Sequence, residues 1–284
     1  MFFGMKLKQM VCNLGALNRV TLFLLLFLQF DAGIITAQEN DSIQLWKGYP
    51  KSFLRDTRDL ILFPKSLKSN DWWLIGGAGV TTGLAFLVDE KLEKSLRGSG
   101  WRNDDGAWLD YSFSHWGDGL YPGATAVVLY SVGAASDNPR LKWIAMLQAK
   151  TLGIAALAAA VPKLLFQRHR PDLTGAVNSW KWEGPFQGLS GNYSFPSGHT
   201  FSAFAWASVT AHACKENKVL VAGLYSIAGL VGVSRVYRGR HWGSDVIAGA
   251  ALGYFTGKLM YKFQEKNWKG RPGKKLKAVD VYGH

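Results

Sequence analysis

Six apolar stretches, at about 72–88, 120–135, 141–163, 199–213, 219–233 and 246–261, dominate the chain, with charged or Gly/Pro-rich loops between them. None alternates apolar and polar residues with period 2, so the pattern specifies an all-α bundle of about six helices. Crossing a bilayer takes about 20 mostly apolar residues, and several of these stretches are nearer about 15. Gln148 and Lys150 interrupt the third. Small residues recur in Gly76-Gly77-Ala78-Gly79, Ala155 to Ala160 and Ala248-Gly249-Ala250-Ala251, and they allow helices to approach closely in lipid or in a protein core. A membrane-embedded or membrane-associated bundle is expected.

Charge narrows the class. The 33 Lys+Arg against 20 Asp+Glu give a net +13, and 48% of residues are hydrophobic, which excludes a disordered chain and a soluble acidic enzyme. Only Cys12 and Cys214 are present, too few for a disulfide framework or a structural zinc site built on thiolates. Lys6, Lys8 and Arg19 precede an apolar run from Val20 to Phe30, followed by small residues at Gly33, Thr36 and Ala37. That layout predicts a secretory signal over residues 1–37 with cleavage near Ala37–Gln38; a retained signal anchor is the alternative. Residues 38–71 form a polar lead-in with Phe53, Leu54, Leu60 and Ile61 at helical spacing beside Arg55 and Arg58, a short helix for the membrane surface or for the domain.

The domain proper is expected over 72–262, with a basic tail over 263–284; Lys258, Lys262, Lys266, Lys269, Arg271, Lys274, Lys275 and Lys277 make the end of the chain cationic. The positive-inside rule assigns that end to the cytoplasm. A cleaved signal followed by six crossings would leave it outside. Either one stretch does not cross, with 72–88 and the Pro122-Gly123 segment the weakest, or the domain is wholly periplasmic.

Cations and histidines cluster where helices end. Lys163 to Arg170-Pro171 closes the third stretch, Ser194-Phe-Pro196-Ser197-Gly198-His199 opens the fourth, and Ser234-Arg235 through His241 to Asp245 joins the fifth to the sixth. The interval from His199 to Ser234 fits one helix out and one back, which brings these clusters to one end of an antiparallel bundle. Lys163, Arg170 and Arg235 would converge there with few acids, and a tetrahedral dianion suits such cations. Ser197 stands at an N-cap position, Gly198 leaves room for a ligand at the backbone, and the free amides of the helix start add to the anion site.

Two histidines at a phosphate site suggest a nucleophile and an acid. His241 is the nucleophile, because Asp245, four residues on, can accept its other ring N–H and hold the tautomer. His199 would protonate the leaving alkoxide and later take a proton from water. A metal held by His199, His241 and Asp245 is disfavoured by the three cations beside it.

These clusters resemble the motifs of the type 2 phosphatidic acid phosphatase superfamily: Lys-x6-Arg-Pro at Lys163, Arg170 and Pro171; Pro-Ser-Gly-His at Pro196 to His199; and Ser-Arg-x5-His-x3-Asp at Ser234, Arg235, His241 and Asp245. Every fixed position is present and in order, over residues about 72–262. The resemblance implies a helical bundle, a covalent phospho-histidine at His241, phosphate contacts from Lys163, Arg170, Ser197, Gly198 and Arg235, and no metal or other cofactor.

The same superfamily includes lipid phosphatases, lipid pyrophosphatases, soluble periplasmic acid phosphatases and vanadium haloperoxidases, so the motifs define the site more narrowly than the substrate. Apolar helices, a basic surface and Trp180, Trp182 and Trp242 near the motifs favour a phosphorylated lipid in a bacterial envelope membrane with a periplasm-facing site: phosphatidic acid, phosphatidylglycerol phosphate, undecaprenyl pyrophosphate or lipid A. A soluble periplasmic acid phosphatase of broad specificity is the alternative. A non-catalytic phosphate-binding protein is a further class, opposed by the complete histidine set, and no nucleic-acid recognition module is present.

Overall fold

The computed structural model describes residues 49–62, 69–98, 107–171, 177–185 and 193–269, with side chains for all of these except 107 and 266–269. The expected signal, most of the lead-in and the tail from residue 270 lie outside the described residues. Eight helices are described: α1 (Tyr49–Ile61), α2 (Ser69–Gly98), α3 (Ala107–Gly117), α4 (Leu120–Ala135), α5 (Pro139–Phe166), α6 (Gly198–Ala213), α7 (Lys218–Tyr237) and α8 (Gly243–Lys269). The described residues contain no strand, only an isolated bridge between Arg168 and Trp182. The all-α expectation holds, with two more helices than the six apolar stretches. One, α1, is the short helix of the lead-in. The other, α3, has no counterpart among those stretches, because Asp110, Ser112, Ser114 and His115 break up its apolar residues.

The helices are also longer than their apolar cores. Polar turns extend α2, α5 and α8 to 30, 28 and 27 residues. By length and composition, α2, α5 and α7 are able to cross a membrane. Helix α2 buries the least: Trp73, Leu87 and Val80 are 80%, 72% and 64% exposed, an apolar surface that only lipid or another protein would cover favourably. Gln148 and Lys150 are compatible with helix α5 because both are buried with partners. Gln148 donates to Thr210 Oγ1 at 2.9 Å, and Lys150 reaches Asp56 of α1 at 2.9 Å and Ser52 at 2.6 Å.

Side-chain caps fix the turns. Asn138 accepts the amides of Arg140 and Leu141 at the start of α5, and Asn217 accepts that of Leu220 at the start of α7. Helices α2, α4, α5, α6, α7 and α8 run alternately from end to end. At one end Lys258 of α8 pairs with Asp71 of α2 at 2.8 Å, and Arg140 of α5 donates to the carbonyl of Ala213 in α6. The three motif clusters lie at the other. Lys258 and Lys262, read above as part of a basic tail, therefore belong to α8, with Lys262 3.7 Å from Asp71.

A glycine seam sets the spacing of α6 and α8. A Cβ at Gly249 would lie 2.6 Å from the Ser197 carbonyl oxygen, and one at Gly253 or Gly257 would collide with the carbonyls of Phe201 and Ala205. Three small residues four apart let one backbone lie against the other. The core under this seam gathers Trp116, Leu129, Leu141, Ile144, Trp206, Leu224 and Val231. Gly253→Ala is expected to destabilise the protein by about 1–3 kcal/mol, because backbone rather than a side chain must yield. Gly79→Ala, where nothing lies within 4 Å, should be neutral or slightly stabilising; unfolding of the two variants in the same detergent checks the contrast.

Candidate active site

The site is built at the starts of α6 and α8, the end of α5 and the turn that follows α7. Helix α5 stops at Phe166, and Gln167 takes left-handed backbone angles, φ 44° and ψ 53°, while its N–H closes onto the Lys163 carbonyl. That turn sends Arg168 into the interior and Arg170 toward the site. Helix α7 ends at Tyr237, and Gly239 at φ 65° turns the chain so that His241 enters 4% exposed.

Lys163, Arg170, His199 and His241 lie within electrostatic reach of one another. Gly198 has a reason visible only in three dimensions: a Cβ there would stand 2.6 Å from Lys163 Nζ. The missing side chain admits the ammonium over the first turn of α6, where amides lack intrahelical partners. Arg170 keeps a buried Nε with no hydrogen-bond partner, which a bound anion would supply. Ser197 occupies the N-cap, yet its hydroxyl accepts from Thr200 Oγ1 at 2.9 Å and caps no amide. Its own N–H donates to the Asp245 carbonyl at 3.0 Å, so the amides left for an anion are those further into the helix.

Two expected contacts are arranged differently. His241 Nδ1 donates to the Ser194 carbonyl at 2.7 Å, whereas Asp245 Oδ2 stands 3.7 Å away, too far for a direct bond. A carbonyl can only accept, so Nδ1 carries the proton and the lone pair is on Nε2. Asp245 acts instead on the turn: Oδ2 accepts the Trp242 amide at 2.9 Å and the Ser194 hydroxyl. At the third position of α8, this is the reach-back half of a capping box. Arg235 does not stand free among the other cations; Asp110 of α3 pairs with it and with Arg238. That acid carries no sequence signal, because the polar residues of α3 hide the helix it stands on.

Arg168 is the residue that spacing did not single out. It is fully buried, with NH1 donating to Asp245 Oδ1 at 2.6 Å and Ser244 Oγ at 2.7 Å, NH2 to Asp89 Oδ2 at 2.9 Å, and Nε to the Ser179 carbonyl at 3.0 Å. Phe86, Trp182 and Trp242 lie 4.5, 5.0 and 5.3 Å from its guanidinium carbon. Of the three tryptophans noted in the sequence, Trp242 is core, 1% exposed and donating to the His169 carbonyl; Trp182 flanks Arg168; and Trp180, 59% exposed, stacks on Phe86. His169, next to Arg168 in the chain, contacts Glu183 through Nε2 at 2.6 Å.

Burial, reinforced by Arg170 and Lys163 and opposed by Asp245, holds His241 below its ordinary value of 6.5. Native His241 therefore stays neutral where the unfolded chain already binds a proton, and stability falls as pH drops below about 6.5 toward the native value. Burial holds His199 down as well, to about 4, so thermal unfolding between pH 7.5 and 5 should show that loss, and His241→Gln should reduce it without abolishing it.

The PAP2 superfamily profile matches residues 144–269, which contain all three motif clusters. The chain is 37% identical over 123 residues to a lipid A 1-phosphatase of Porphyromonas gingivalis, a match covering 42% of this chain and 24% of that protein. Phosphatidylglycerophosphatase B of Bacillus subtilis is 29% identical over 207 residues, covering 69% of this chain and 92% of the relative. The chain thus spans about a quarter of the first relative and nearly all of the second. A crystal structure of a transmembrane PAP2-type phosphatidylglycerolphosphate phosphatase from Bacillus subtilis superposes with a TM-score of 0.43 at 25% identity, over 79% of this chain and 100% of that one. The three motif clusters, gathered at one end of an all-helical bundle, lie within the matched region, and over those residues the chain is similar to the PAP2 superfamily.

Proposed function

We propose that this protein is a phosphatase of the PAP2 type that removes a phosphate, as monoester or from a pyrophosphate, from a membrane lipid through a phospho-histidine at His241. The observation that carries this reading is the contact of His241 Nδ1 with the Ser194 carbonyl: in the neutral ring it leaves the lone pair on Nε2, within a group that also contains Lys163, Arg170 and His199. Nε2 attacks phosphorus and the bond to the leaving oxygen breaks. Burial, with His241 beside it, holds His199 down to about 4; the incoming phosphate dianion raises it, so that His199 takes up a proton and gives it to that oxygen. Water then attacks the phosphoimidazole, His199 takes its proton, and the P–N bond breaks to release phosphate. Lys163, the buried Arg170 and the amides of the α6 start stabilise the equatorial oxygens. Arg235 joins them when it exchanges Asp110 for phosphate; Ser197 shapes the helix start. No step uses a metal.

A lipid substrate is supported by the exposed apolar face of α2 and by relatives named for lipid A and phosphatidylglycerophosphate. Phosphate release should be measured from phosphatidic acid, phosphatidylglycerol phosphate, undecaprenyl pyrophosphate, lipid A and phenyl phosphate, in detergent with chelator. One lipid is expected to dominate, with His241→Ala losing at least about a thousandfold in turnover. Preference for phenyl phosphate without detergent would favour a soluble acid phosphatase, and undiminished His241→Ala would remove the covalent route.

Orientation follows from the two ends of the bundle. Arg140, Lys142, Lys215, Lys218, Lys258 and Lys262 gather at the end opposite the site. Although Lys94, Arg97, Arg238 and Arg240 stand at the site end, the basic sequence that continues past α8 adds to the opposite end, which by the positive-inside rule supports a cytoplasmic position for that end and a periplasm-facing site. In intact cells a membrane-impermeant thiol reagent should label Lys94→Cys, near the site end of α2, and leave Glu216→Cys unlabelled. The reverse pattern would invert the assignment.

A further inference from the structure

Beyond the residues that would touch phosphate, a buried charge chain runs from α2 to the histidine turn. Asp89 of α2 accepts from Arg168 NH2 at 2.9 Å and from the Ser244 amide at 3.0 Å, and its other contact is the Ser244 hydroxyl. Arg168 bonds Asp245 in turn, and Asp245 holds the Trp242 amide and the Ser194 hydroxyl on either side of His241. Ser194 also receives His241 through its carbonyl and donates its own N–H to the Arg168 carbonyl at 3.0 Å. Asp89, Arg168, Ser194, Ser244 and Asp245 are each 0–1% exposed.

A guanidinium so placed is more than packing. Two carboxylates share one cation, so the cluster keeps net negative charge behind His241 without an unpaired acid. The fork geometry of Arg168 fixes Asp245 from one side while the Trp242 amide and Ser194 hydroxyl fix it from the other. We propose that Arg168 is a positioning residue for His241: balanced between Asp89 and Asp245, it orders the turn that carries the ring and sets how much negative charge the ring feels. Asp89 makes α2, the least buried of the long helices, part of that arrangement.

The charged and titratable groups around His241 are Lys163 at the end of α5, Arg170 beyond it, His199 of α6 and Asp245 of α8. Arg168 and Asp89 stand behind Asp245. Removing Asp89 would leave the guanidinium to neutralise Asp245 more completely, so an imidazolium at 241 loses support. Removing the guanidinium charge has the opposite effect. The two substitutions must therefore move the ring in opposite directions, which loss of packing alone would not do.

The kinetic half of the test rests on the proposed role of His241 as nucleophile, and the spectroscopic half does not. Histidine-ring 15N titrations of the full-length protein in detergent, with His241 assigned by its loss in His241→Gln, should show Asp89→Asn shifting that ring downward by at least about 0.3 of a pH unit. Arg168→Gln should shift it upward, and Arg168→Lys, which keeps the charge, should leave it near wild type. On the preferred phosphate ester, Arg168→Gln should lower kcat by about 10–100-fold with little change in KM, and the acid limb of the rate profile should follow the ring. Arg168→Lys should recover part of kcat. A ring that titrates identically in Asp89→Asn and wild type overturns the proposal, and that comparison decides it if Arg168→Gln does not fold. If no ester is turned over by wild type, the phosphatase reading fails while the ring titration still decides this one.

Discussion

The close approach of α6 and α8 along Gly249, Gly253 and Gly257 is the constraint from which the rest of the site follows. With carbonyls of one helix in the space where the other would carry Cβ atoms, the two axes cannot be separated by ordinary side chains. The Ser197 N–H can then donate to the Asp245 carbonyl, and the starts of the two helices become one unit. Packing and chemistry meet at that point, because the same turns hold His199 and His241. The larger apolar core beneath keeps this geometry from relaxing, since interiors packed at crystal-like density transmit displacement instead of absorbing it.

The electrostatics of the site are divided by position. Cations that would meet an anion, Lys163 and Arg170, lie with His199, and Arg170 retains an unpaired buried donor. The cation that meets only protein, Arg168, lies behind the histidine turn with every bonding group engaged by carboxylate, hydroxyl or carbonyl. A single residue, His169, separates the two roles along the chain, Arg168 from Arg170. The left-handed turn at Gln167 makes this possible by aiming neighbouring side chains to different depths.

Much of this was legible in the sequence. Apolar stretches without period-2 alternation marked every long helix, and the return distance from His199 to Ser234 placed the motifs together. Residue type alone gave the anion preference of the cluster. What spacing could not give was the partner of each group. Asp245 is four residues from His241, the interval that favours contact within a helix, but His241 lies before α8 starts, so the carboxylate turns to amides and to Arg168 instead. Asp110 escaped notice because its helix has no clean apolar face, and Asp89 because an acid near the end of a lipid-facing stretch looks like a solvated terminus. Both pair across more than seventy positions of chain, a range over which periodicity carries no information.

Helix α2 is fastened at two levels and little between them: Asp71 to Lys258 at one end, Asp89 to Arg168 and Ser244 at the other. The rise from residue 71 to residue 89 is about 27 Å, against roughly 30 Å of hydrocarbon in a typical bilayer. Its ionic fastenings thus fall at the depths where headgroups begin, and the intervening turns offer lipid only apolar or self-satisfied surface, as with Thr81 and Thr82, whose hydroxyls bond back to Gly77 and Ala78. The helix works as a gauge whose two marks match the thickness of the medium, and the mark at Asp89 is the carboxylate that reaches the histidine end of the bundle.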